Sequence, residues 1–120
     1  MKKILVLMAL ALLLTACSGE SVTLPEGMYA AMLEKANLYD AQFPGNSDMN
    51  VARLCAERPA GLYWNEEYKT WAVVCEMPIK NMYGVVTLDV NYKVLNSDYI
   101  YAVSLVGVED MIGSGGWVKK

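Results

Sequence analysis

Two periods divide the chain. From Thr23 to Phe43 the apolar residues Met28, Met32, Ala36, Tyr39 and Phe43 recur at the spacing of one helix face, with Tyr29 and Leu33 broadening the stripe. Glu34, Lys35 and Asp40 fall off it. Thr23 and Glu26 have the spacing of a capping box, Pro25 suits a first turn, and Pro44 with Gly45 ends the helix. The methionines in the stripe read as a face packed on a sheet rather than as a partner-binding groove. A second, shorter helix, capped by Ser47 or Asp48, carries Val51, Leu54 and Cys55 on one face and closes at Arg58 and Pro59.

From Gly61 the period becomes two. Leu62, Tyr63 and Trp64 read as a short strand, and residues 65–68 as a turn. Residues 69–77 alternate, with Trp71, Val73, Cys75 and Met77 on one face, and Pro78 stops the strand because it has no amide to give a ladder. Residues 83–94 alternate most clearly, with Val86, Leu88, Val90, Tyr92 and Val94 facing one way. Asn96, Ser97 and Asp98 read as a turn, and residues 99–108 as a last strand apolar on both faces, hence central or covered twice. Short connections favour antiparallel hairpins. The predicted fold is α+β: two N-terminal helices packed on a three- to four-stranded antiparallel meander, held by one disulfide. The predicted domain covers residues 24–110, and residues 111–120 have the composition of a flexible linker.

The first 16 residues are of another kind. Lys2 and Lys3 precede an unbroken apolar run of 11 residues from Ile4 to Leu14, and the chain turns polar at Ser18. A charged start, a short apolar run and small residues are the marks of a secretory signal, and the run is too short to span a bilayer. Leu14, Thr15, Ala16 and Cys17 resemble the lipobox of bacterial lipoproteins. That resemblance implies cleavage between Ala16 and Cys17, a diacylglyceryl thioether and further acylation (such as palmitate) on Cys17, and a lipid-anchored place in the cell envelope. By the sorting pattern of enteric lipoproteins, Ser18 after the lipidated Cys17 points to the outer membrane, facing the periplasm. Residues 17–23 then form the lipidated cysteine and a short tether that keeps the domain near the lipid surface.

With the leader removed, eight basic side chains stand against 13 acidic ones, a balance of about −5 that does not favour nucleic acid. Cys55 and Cys75 remain as an even pair in an exported compartment and are expected to form a disulfide. They lack the Cys-x-x-Cys spacing of redox work. The chain has no histidine, which removes the commonest metal ligand and the usual base of nucleophilic triads. Neither a cofactor, a metal nor an enzymatic activity is expected.

The most suggestive surface is aromatic. Tyr63, Trp64, Tyr68 and Trp71 crowd the first hairpin around Glu66 and Glu67, and Tyr and Trp dominate interface hot spots. The expected binding residues are Tyr63, Trp64, Glu66, Glu67 and Tyr68, with Tyr63 and Tyr68 exposed and Trp71 in the core. Trp117 beside Lys119 and Lys120 reads either as a membrane-interface residue or as loose tail. The expected function is a non-catalytic binding module partnered by the membrane, through its lipid, and by an envelope protein. The alternatives are an inhibitor or exclusion factor that blocks an envelope receptor or enzyme, and a structural accessory of an envelope complex. A fixed exposed loop would favour the first alternative, and a broad exposed apolar face the second.

Overall fold

The computed structural model describes residues 22–113 and 115–120; the leader, Cys17 and residues 18–21 of the tether lie outside them. Helix α1 spans Glu26–Gln42 and, after a 3-10 turn at Ser47–Met49, helix α2 spans Val51–Glu57. Strands β1 (Gly61–Asn65), β2 (Thr70–Glu76), β3 (Met82–Leu88) and β4 (Val94–Tyr101) follow, then helix α3 (Leu105–Gly113) and strand β5 (Trp117–Lys119). Every pairing in the sheet is antiparallel, in the order β4-β3-β2-β1-β5.

The α+β class and the disulfide match expectation, but the described residues hold three helices and five strands. Helices α1 and α2 cover one face. Met28, Met32, Val51 and Cys55 pack there on Leu62, Val73, Cys75, Val86 and Leu88. The Cys55–Cys75 disulfide ties α2 to β2 across a Cα separation of 4.8 Å. Gly84 on β3 makes room for this junction, since a Cβ there would stand 2.8 Å from Val51 Cγ1 and 3.1 Å from Cys75 Sγ.

The other face is not open to water, as two helices alone would leave it. Helix α3 places Val108 on Tyr63, Ala72, Val74 and Tyr83, with Leu105, Ile112 and Trp117 beside them. The expected strand over residues 99–108 therefore stops at Tyr101. Leu105, Val108 and Ile112 are spaced three and four apart, so the same apolar residues that alternate as a strand also form a helix stripe, and burial against the sheet decides for the helix. The expected loose tail instead contributes β5, whose Trp117 lies opposite Asn65 and Lys119 opposite Tyr63. Asn65 is 1% exposed; its amide donates to the Gly115 carbonyl and its oxygen accepts from the Tyr68 amide, so one side chain joins the first hairpin to the glycine turn.

Two turns also moved. Strand β3 ends at Leu88 because Asp89 Oδ1 accepts the amides of Asn91 and Lys93 and builds a turn there, with Tyr92 left-handed at φ 64°. Residues 96–98, expected as the turn, lie inside β4 with a bulge opposite Thr87 and Leu88. At the helix starts, Pro25 occupies the α1 cap with no side-chain bond, so the Thr23–Glu26 box does not form. Asn50, not Ser47 or Asp48, caps α2 by accepting from the Arg53 amide.

Candidate binding surface

The first hairpin does not present the surface expected of it. Tyr63 is 3% exposed and packs under α3, where its hydroxyl donates to Glu109 Oε1 at 3.2 Å. Burial first, and then the Glu109 charge and hydrogen bond, push its phenol up to about 12. Lys119 Nζ donates to the same Glu109 oxygen at 3.1 Å, so this acid ties α3 to β1 and β5. Trp64 is half-buried and faces Trp71 directly across the ladder, ring centroids 4.7 Å apart, while its Nε1 donates to Glu66 Oε2 at 2.7 Å. Glu66 also pairs with Lys69, and these two donors, Lys69 foremost, hold its carboxyl below the usual range. Of the five expected binding residues, Glu66, Glu67 and Tyr68 stand at the tip, Tyr68 at 67% exposure. Trp117 is part of the second core cluster rather than a loose anchor.

The larger apolar exposure lies elsewhere, along β4. This strand is one edge of the sheet, eight residues long, and carries Leu95, Tyr99 and Tyr101 in the open, with Val103 just beyond at 89% exposure. Tyr99 and Tyr101 meet edge to face, centroids 5.9 Å apart. The Ala102 amide donates to Asn81 on the β3 side at 3.0 Å. Amides alternate in direction along an antiparallel strand, so those of Ser97, Tyr99 and Tyr101 point away from the sheet. One of them is guarded: the Tyr99 amide donates to Asp98 Oδ1 at 2.8 Å.

Helix α1 runs beside β4 in the same direction, leaving a furrow between them. Its first part, about 290 Å³, is lined by Ala31, Glu34, Lys35, Leu38, Lys93 and Val94. Its second part, about 150 Å³, has Lys35, Tyr39, Asn50, Ser97, Asp98 and Tyr99 in its lining. A hollow of about 410 Å³ at the far end lies between the 77–81 turn and Val103.

The furrow's wall is fixed by a polar hub. Asn50 is 1% exposed; its Nδ2 donates to the Ala36 carbonyl and to Asp40 Oδ1, each at 2.9 Å. Arg53 Nε and one terminal nitrogen grip Asp40 Oδ2 at 3.2 and 2.8 Å. Hydrogen bonds from Asn50, then Arg53, hold the Asp40 carboxyl below its ordinary value. This hub joins the end of α1 to the start of α2 and so sets where Tyr39 stands relative to Tyr99.

Sequence reasoning missed β4 because it broke that strand at residues 96–98. The alternation of Tyr99, Tyr101 and Val103 was visible, but edge position is a property of strand order. Compared with known proteins, the chain matches no family model, no curated protein and no solved structure.

Proposed function

We propose that this chain is a lipid-anchored, non-catalytic binding module of the bacterial cell envelope, and that it docks an extended segment of another envelope protein on the open edge of β4. The lipid at Cys17 supplies place, following the lipobox resemblance. The contact is a strand added to the sheet, in which outward amides and carbonyls of β4 give the main-chain bonds.

The observation that carries this reading is an aromatic, eight-residue edge strand beside an apolar furrow. An added strand projects alternate side chains to one face, and on the α1 side they meet the furrow. Lys35 and Lys93 line it beside Glu34 and Asp98, so its charges balance and the apolar residues of the added strand make the contact. The opposite edge offers far less, since β5 is three residues long and bears Lys119. A broad apolar edge favours the structural accessory over the inhibitor among the alternatives.

The test is photocrosslinking in native envelopes from residue 101, with residue 57 on the exposed end of α2 as control. The expected result is a discrete protein adduct from residue 101, absent from residue 57 and lost when Tyr99→Ala is added. Equal adducts at both positions, or an adduct indifferent to Tyr99→Ala, would refute it. Radiolabelled palmitate incorporation, abolished by Cys17→Ala, tests the anchor separately.

A further inference from the structure

The hairpin singled out by its aromatics is left without a role by a docking edge on β4. The sheet's two ends differ in a way that gives it one. Trp64 pairs with Trp71 and Trp71 with Leu88, so the 65–70 hairpin and the 89–93 turn lie at the same end. The chain enters the fold at that end as well. Val22 and Leu24 pack against the core cluster, and Gly27 lies against Tyr92, where a Cβ would stand 3.0 Å from the ring. From Val22 back to Cys17 is five residues, at most about 18 Å when fully stretched. A lipid on Cys17 therefore cannot lie far from this end, whatever path the tether takes.

Both turns carry an exposed side chain suited to a lipid surface: Tyr68 at 67% and Val90 at 54%. Tyrosine favours the headgroup layer because its ring is apolar and its hydroxyl is wet. Lys69 and Lys93 flank them. Glu66 is paired with Lys69 and Asp89 Oδ1 accepts the Asn91 and Lys93 amides, so of the acids in the two turns Glu67 is the one with no such tie and has to stay on the water side of the headgroups.

We propose that the 65–70 and 89–93 turns form a membrane-facing end, with Tyr68 and Val90 seated in the headgroup layer of the bilayer that holds the lipid. This rests on lipid attachment at Cys17. It leaves Ile79 and Val103 at the opposite end, turned away from the surface, and sets β4 upright with its open edge accessible from the side.

The lipidated full chain itself provides the test. With Cys17 acylated and Cys55 bonded to Cys75, a cysteine introduced at an exposed site is the free thiol for a nitroxide label. Tyr68→Cys, Val90→Cys and, as control, Val103→Cys are labelled in protein reconstituted into vesicles of phosphatidylethanolamine and phosphatidylglycerol. Expected is a several-fold loss of collisions with a water-soluble nickel chelate at 68 and 90 relative to 103, with a matching gain in collisions with oxygen. Labels at all three sites equally open to the chelate, on protein that floats with the vesicles, overturn the placement and leave the anchor standing. Labels at 68 and 90 shielded from chelate and oxygen alike indicate a protein contact and overturn it too. Failure to float overturns the anchor and this orientation with it.

Discussion

Replacing Asn50 by Ala tests the hub that shapes the furrow. The side chain does two things at once. It caps α2 by accepting the Arg53 amide, and it donates to Asp40 and to the Ala36 carbonyl. Loss of the cap costs about 1 kcal/mol. Loss of a hydrogen bond to an ionised carboxylate costs about 1.5–3 kcal/mol, and the lower end applies because Asp40 keeps 30% of its side-chain surface in water. The expected loss is thus about 2–3 kcal/mol, which for a domain of this size lowers Tm by roughly 10–20 °C. The pH dependence gives a second, independent check. Asp40 titrates below its ordinary value of 3.8 in the fold, so its contribution is complete above that value and is lost as pH falls through the lower, folded one. The gap between the parent and Asn50→Ala, followed by urea denaturation, is therefore full near neutral pH and narrows in the acid range. A loss under about 1 kcal/mol, or a gap that does not move with pH, would show that the hub is not the joint between α1 and α2.

Other expectations follow from the same geometry. Cys55→Ala with Cys75→Ala opens a link across a sequence separation of 20 and lowers stability by about 3 kcal/mol in urea titration; an unchanged midpoint would remove the disulfide from the account. Gly84→Ala drives a methyl into Val51, Cys75 and Met77 and costs about 1–3 kcal/mol in the same assay, and a neutral result would mean that α2 packs farther from β3. The Tyr63 phenol is raised from 10 to about 12, so this group adds no pH dependence below pH 10 and weakens the fold as pH rises from 10 towards 12; Tyr63→Phe should reduce the alkaline loss over that window, and an unchanged loss would refute the assignment. Asp98→Ala frees the Tyr99 amide, so crosslinking from residue 101 should rise while stability stays within about 0.5 kcal/mol, and a fall in crosslinking would count against strand addition.

The parts of the fold legible in the sequence are those where one period has no competitor. The α1 stripe buries Met28, Met32 and Ala36 as its spacing predicts, and β2 alternates as read, with Val73 and Cys75 turned to the helices. The failures share a physical origin. Residues 99–108 read as alternating, yet Leu105 and Val108 also begin a helical stripe that Ile112 continues, and only the presence of an uncovered sheet face selects the helix. That face is invisible locally, because it is made by β1, β2 and β3, whose second set of side chains includes Ala72 and Val74 as well as the buried Tyr63. The glycines at 113, 115 and 116 look like linker, yet Gly116 is left-handed at φ 87° in the turn that returns the chain to β1, and the Asn65 amide waits there to bond the Gly115 carbonyl.

The misplaced binding surface has the same cause. Composition found aromatic residues at a hairpin, but exposure depends on what packs above the strand, and α3 with β5 takes Tyr63 out of reach. Strand β4 stands at one end of the strand order, so its outward amides belong to an edge rather than to a ladder. Helix formation over residues 105–113 and burial of the Tyr63 face stand or fall together. Proline substitution at Val108, in the middle of α3, tests this: it should uncover the Tyr63 face, which a rise in dye binding to exposed apolar surface would report, while leaving the Cys55–Cys75 side packed, and unchanged dye binding would refute α3 as the cover of that face.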